Sequence, residues 1–309
     1  MPCSKSTLHL LACLTVILVL IPVSAEEPAS PAPPGTDLAG VLVDAIALTG
    51  PPPLPPTGLI VRSDDQIAFM GDSITSTNVN RGGYLRLIQY VLGQNYPGLK
   101  LIFINAGIGG HRADMMAPRF VKDTKLGQGT TLIFINAGVN DVGQRRDKAL
   151  EPTNLELYRD SLIKMVEEAQ GAKVPVILVT PTVIYESTEA EQNKRLQVYA
   201  DAMKQIAEEK NCGLVDWHAM FMTAIANKPP GMRLTCDGVH MGLYGDTILA
   251  LGILRALGVP DATSAATDLT PTLRLNLWPT PMPLLQAAEL LQVPLNRFAR
   301  PEWHGVLTY

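Results

Sequence analysis

The 309-residue sequence predicts an α/β fold in which a parallel sheet of about five strands is covered by helices on both sides. Three observations lead there. Short runs that are apolar on both faces recur through the middle of the chain, amphipathic helical patterns separate them, and glycine-rich or Asn/Asp turns follow several of the runs.

The strand runs are Ile67 to Met70, Leu101 to Asn105, Leu132 to Asn136, Val176 to Thr180 and Gly213 to Asp216. Each is bounded by turn residues and too short for a helix, as a buried parallel strand requires. Between the third and fourth, Thr153-x-x-Glu156 has the form of a capping box. Leu155, Tyr158, Leu162, Met165, Val166 and Ala169 then recur at helical spacing, and Gly171 sits where the helix should stop. Thr188-x-x-Glu191 opens the next helix in the same way, with Leu196, Tyr199, Met203 and Ile206 on one face. The heptapeptide LIFINAG occurs at both 101–107 and 132–138. Two copies with different flanks do not make a solenoid, so the expectation is two adjacent strands ending at one edge of the sheet.

The ends of the chain differ in composition. Lys5, an apolar stretch from Leu10 to Val23 and the small residues of Val23-Ser24-Ala25 have the pattern of a signal peptide cleaved after Ala25. A permanent anchor would need roughly 20 apolar residues, and a lipoprotein box at Cys13 would end the apolar run that here continues. Nine prolines between 26 and 58 make that segment a stiff linker. Residues 59–260 form the expected domain. Beyond it, 261–309 is expected to pack on the core, with an alternating strand around Leu273 to Leu277 and a short helix from Pro283 to Gln292.

Composition excludes some function classes. With 25 basic and 29 acidic residues the chain lacks the basic footprint of a nucleic-acid binder. No Walker sequence or paired CxxC motif supports P-loop chemistry or a zinc ribbon. With the leader removed, no segment is left for stable membrane insertion.

In an open parallel sheet the ligand site lies beyond the carboxyl ends of the strands. The first run leads into Gly71-Asp72-Ser73, which presents a serine hydroxyl at a turn or caps the helix that follows. The second ends in Asn105-Ala106-Gly107-Ile108-Gly109-Gly110-His111, a turn where backbone can approach a ligand, without the GxGxxG spacing of a dinucleotide site. The third ends in Gly138-Val139-Asn140-Asp141, which supplies a side-chain amide donor or forms an Asx turn. Downstream, Asp237-Gly238-Val239-His240 places a carboxylate and an imidazole one turn apart. There the carboxylate can fix the ring tautomer, and the bland readings are a metal-ligand pair or a surface pair. Together the four pieces contain a nucleophile, a base, an orienting carboxylate and oxyanion donors.

These four motifs, in this order and spacing, resemble the SGNH hydrolases, or GDSL esterase and lipase family, from about Gln66 to Leu257. The resemblance implies a three-layer α/β/α sandwich with a flavodoxin-like sheet. Ser73 would be the nucleophile, His240 the general base and acid, and Asp237 its orienting partner. The oxyanion hole would comprise the Ser73 N–H, the Gly110 N–H and the Asn140 amide, with Asp72 and His111 contacting substrate. No metal or organic cofactor is implied.

The implied activity is exported ester hydrolysis, with acetylated glycans as the leading substrate class. A lipase, thioesterase or acyltransferase of the same family and a non-catalytic glycan-binding module are the alternatives. Trp217, Trp278 and Trp303 are expected in packing roles rather than as a sugar platform, and His218 and His304 as structural or exposed. Cys212 starts the last strand while Cys236 adjoins Asp237 at its far edge, so the two are expected as free thiols.

Overall fold

The computed structural model describes residues 59–77, 83–228, 230–260 and 306–308. The expected leader and proline-rich linker, the strand expected around 273–277, the helix expected over 283–292, and Trp278, Trp303 and His304 lie outside them.

The first strand, β1 (Gln66–Gly71), runs into a one-turn helix α1 (Ser73–Ser76), and α2 (Tyr84–Asn95) then leads to β2 (Ile102–Gly107). Two short helices, α3 (Ala113–Met116) and α4 (Phe120–Asp123), precede β3 (Thr130–Asn136). Then come α5 (Val139–Arg145), α6 (Pro152–Gly171), β4 (Val176–Val179), α7 (Glu191–Glu209), β5 (Gly213–Val215), α8 (Trp217–Asn227) and α9 (Leu243–Ala256). The first five strands are parallel in the order β5-β4-β3-β1-β2, and β6 (Val306–Thr308) pairs antiparallel with β2. The fold is therefore α/β, a parallel sheet of flavodoxin-like order between helical layers. One layer contains α2 packed against α9, which also meets α8, and in the other α6 packs against α7.

The two LIFINAG copies end at the same edge but are not adjacent. β1 lies between them, with Phe69 in register with Asn105 on one side and Phe134 on the other. The chain enters at the centre of the sheet and adds β2 to one side and β3 to the other. This reversal opens a crevice at the carboxyl end of β1, where parallel sheets bind ligands. Three phenylalanines, one per strand, pack across this centre. Phe69 stacks on Phe134 at 5.0 Å between ring centroids and meets Phe103 at 5.1 Å, all three nearly inaccessible to solvent.

Both helix starts differ from the capping-box expectation. α6 begins at Pro152, with Thr153 already inside and no side-chain cap, because proline at the first helical position has its φ preset and loses no hydrogen bond. α7 begins at Glu191 rather than near Thr188. Here Asn193 accepts from the Ile184 N–H at 2.8 Å and donates to the carbonyls of Tyr185 and Ser187 at 3.0 and 2.8 Å, which holds the preceding loop out of the helix.

Trp217 is buried and donates from Nε1 to the Leu249 carbonyl at 3.2 Å. His218 is also buried, with Nδ1 2.8 Å from the Thr182 carbonyl. Cys212 and Cys236 are both unpaired to any disulfide. Among the described residues no helix is long and apolar enough to cross a membrane.

Candidate active site

Ser73 opens α1 directly beyond β1, but it does not cap the helix. Asp72 does so, its Oδ1 accepting from the Ile74 N–H at 2.9 Å, which leaves the serine hydroxyl free to point elsewhere. The helix is held from below by β2. Asn105 donates to the Thr75 carbonyl at 2.9 Å and accepts from the Gly107 N–H at 2.9 Å. Gly107 itself backs so closely onto the Ser76 backbone that a Cβ there would collide with it.

The downstream motif meets Ser73 across 167 positions of sequence: His240 Nε2 lies 2.9 Å from Ser73 Oγ, and His240 Nδ1 lies 2.7 Å from Asp237 Oδ2. Asp237 Oδ1 also accepts from the N–H groups of Val239 and His240, at 2.9 and 2.7 Å. Burial alone would raise the Asp237 pKa, but the His240 ring and these two N–H groups together bring it below the ordinary carboxylate value. The ionised carboxylate can only accept, so His240 Nδ1 carries its proton toward Asp237 and Nε2 accepts from the serine hydroxyl.

The other two motifs close on the same point. A Cβ at Gly109 would lie 3.8 Å from the Ser73 Cβ, and Gly110 adopts φ +76°, a conformation that favours glycine. The Gly110 carbonyl accepts from Gln144 Nε2 at 2.6 Å. Asn140 lies in the first turn of α5 and makes no Asx turn; its amide donates to the His111 carbonyl at 3.1 Å and to Asp72 Oδ2 at 3.3 Å. Asp141 beside it is fully buried and pairs with Arg145 at 2.6 Å.

Asp72 is 1% exposed, with Oδ1 capping the helix and Oδ2 accepting from Asn140. Burial raises its pKa to about 6 despite the Ile74 N–H and His240. His111 is half-buried, and Arg119 Nε donates to its Nδ1 at 3.1 Å. Burial and the Arg119 charge both lower the His111 pKa, which keeps the ring neutral with its proton on Nε2.

Arg119 carries no sequence signal, yet it ties the site together. Its Nη1 donates to the Ala106 carbonyl at 2.6 Å and its Nη2 to the Gly71 carbonyl at 3.0 Å, the ends of the two strands that present Ser73 and the glycine turn. Glu186 is equally silent in the sequence. Its Oε1 accepts from the N–H groups of Leu234 and Thr235 and from the Thr235 hydroxyl, at 2.9, 2.7 and 2.7 Å, and its Oε2 pairs with Lys228 at 2.9 Å.

A hydroxyl hydrogen-bonded to an imidazole that is oriented by a carboxylate, with a glycine turn and a side-chain amide close by, is an arrangement suited to acyl transfer. The profile of the GDSL-like Lipase/Acylhydrolase family matches residues 69–247, and the chain belongs to that family and is a carboxylic ester hydrolase. It is 29% identical over 212 residues to an acetylxylan esterase of Geobacillus stearothermophilus, covering 64% of this chain and 96% of the relative. A crystal structure of an acetylxylan esterase from the same organism superposes with a TM-score of 0.58 at 28% identity, covering 65% of this chain and 97% of that one. An α/β hydrolase enzyme from the metagenome of Lake Arreo, Spain, superposes equally, with a TM-score of 0.58 at 26% identity over 65% of this chain and 99% of that one. Solved catalytic mutants of the Geobacillus esterase replace a serine, an aspartate or a histidine by alanine.

Proposed function

We propose that this chain is an exported serine esterase that removes acetyl or other short acyl groups from glycans. The observation that carries the reading is the continuous hydrogen-bonded relay from Asp237 through His240 to Ser73, at 2.7 and 2.9 Å. Its similarity to an acetylxylan esterase supports the glycan acetate as substrate. The signal-like sequence of residues 1–25 supports export.

In this mechanism His240 Nε2 takes the Ser73 proton as Oγ attacks the ester carbonyl. The N–H groups of Ser73 and Gly110 and the Asn140 amide hold the oxyanion, whose approach replaces the long Asn140 contact to Asp72. The imidazolium, stabilised by Asp237, then protonates the departing sugar oxygen. Water attacks the acyl-enzyme with His240 again as base. His111 offers a neutral Nε2–H donor at the edge of the site.

Hydrolysis of p-nitrophenyl acetate by the purified protein tests the roles. Ser73→Ala and His240→Ala are expected to abolish turnover. Asn140→Ala should lower it by roughly 100- to 1,000-fold, the usual effect of removing one oxyanion donor. Full turnover in Asn140→Ala counts against that donor, and full turnover in Ser73→Ala counts against the whole mechanism.

A further inference from the structure

Tyr185 is the one aromatic side chain among the described residues that is mostly exposed, at 53%, whereas the five described phenylalanines and Trp217 are buried. Its backbone is strained, with φ +65°, a conformation that costs a bulky residue and that glycine would adopt freely. Such strain persists only where the surroundings over-determine it.

Here they do. The Tyr185 N–H donates to the Gly238 carbonyl at 2.7 Å, its own carbonyl accepts from Asn193 at 3.0 Å, and the next residue is the Glu186 fixed to Leu234, Thr235 and Lys228. The ring lies on Gly238, between Asp237 and His240 in sequence, so that a Cβ on this glycine would come within 2.9 Å of Tyr185 Cδ1. The backbone of Tyr185 is thus fixed from both sides while its side chain is left open to solvent. Gly238 in turn lies only two Cα steps of about 3.8 Å along the chain from His240.

We propose that Tyr185 is a sugar-binding subsite, an aromatic plate that stacks on a pyranose of the ester's alcohol part. The inference rests on the glycan-esterase reading above. A tyrosine on a fixed backbone suits this ligand. It presents a flat apolar face to sugar C–H groups and a phenol to sugar hydroxyls, and with only two side-chain torsions it has little conformational freedom to lose on binding.

The test compares the kinetics of the full chain and of Tyr185→Ala, Tyr185→Leu and Tyr185→Phe on p-nitrophenyl acetate and on acetylated xylo-oligosaccharides. The Ala and Leu variants are expected to lose about tenfold more kcat/KM on the oligosaccharide than on the aryl ester, mainly through KM, while Phe stays within about threefold of wild type on both. Equal losses on the two substrates would overturn the subsite, because the ring would then serve only the catalytic loop. Unimpaired oligosaccharide kinetics in both the Ala and Leu variants would overturn it too, and would leave the glycan-esterase reading intact. Wild type that cleaves the aryl ester but no oligosaccharide acetate removes that reading and the subsite with it. Should Tyr185→Ala fold poorly, the Leu-to-Phe comparison carries the test, because the two side chains are similar in bulk and differ in the aromatic face.

Discussion

Asp72 holds three neighbours at once: it caps α1, faces Asn140, and lies near His240 in a site that excludes water from it. Its pKa of about 6 stands above the 3.8 of an ordinary aspartate, so the folded chain keeps a proton that the unfolded chain releases between these values. The stability from this proton is complete below about pH 4 and is lost as pH rises through 6. Asp72→Asn is isosteric and never ionises. Its stability relative to wild type should therefore increase from pH 4 to pH 7, by up to about 3 kcal/mol. Unfolding midpoints in denaturant across that range check this, and parallel curves for the two proteins would contradict it. At this scale the chemistry-bearing types were legible, because Ser73, Asn140, Asp237 and His240 sit in short motifs with telling neighbours. The capping of α1 by Asp72 was not, since Ser73 beside it is as good a cap by residue type.

At the scale of elements, the loop after β4 is fastened to the loop that carries Asp237 and His240. Burial would raise the Glu186 pKa, but its bonds to Thr235 and Lys228 win and lower it, so it is a carboxylate at neutral pH. If this fastening acts through the position of Asp237, Glu186→Gln should slow p-nitrophenyl acetate turnover about tenfold in the wild-type background. In an Asp237→Asn background it should add little. Equal losses in both backgrounds would mean that Glu186 supports the fold without positioning the relay. The five strands could be placed from apolar runs alone, because a doubly buried strand has few sequences open to it. The helix starts were misplaced for a local reason: Thr153 and Thr188 each begin a capping-box pattern, but Pro152 and the Asn193 side chain settle the geometry first. The adjacency of the LIFINAG strands was likewise invisible, since identical runs pair equally well with β1 on either side.

At the scale of the molecule, Cys212 and Cys236 occupy different structural settings. Cys212 precedes β5 and is partly buried, whereas Cys236 is exposed beside Asp237. Removal of residues 1–25 would discard Cys3 and Cys13. If the expected cleavage after Ala25 takes place, thiol titration of the protein, unfolded without reductant, should find two free thiols per chain, with Glu26 as the first residue on N-terminal sequencing. Absence of thiols would require a bridge that this fold keeps open, and an N-terminus at Met1 would dispose of the cleavage site.

The sequence by itself determined the fold class, the sheet edge where chemistry is found and the residue types of the candidate relay. These depend on periodicity and on short motifs, which act within a few residues of chain. Only the tertiary structure decided that β1 separates the two LIFINAG strands, that Asp72 faces Asn140, that Arg119 joins two strand ends, and that Tyr185 is held open against Gly238. Each of those depends on groups distant in sequence brought within a few ångströms, and no local pattern specifies which distant partner a side chain will meet.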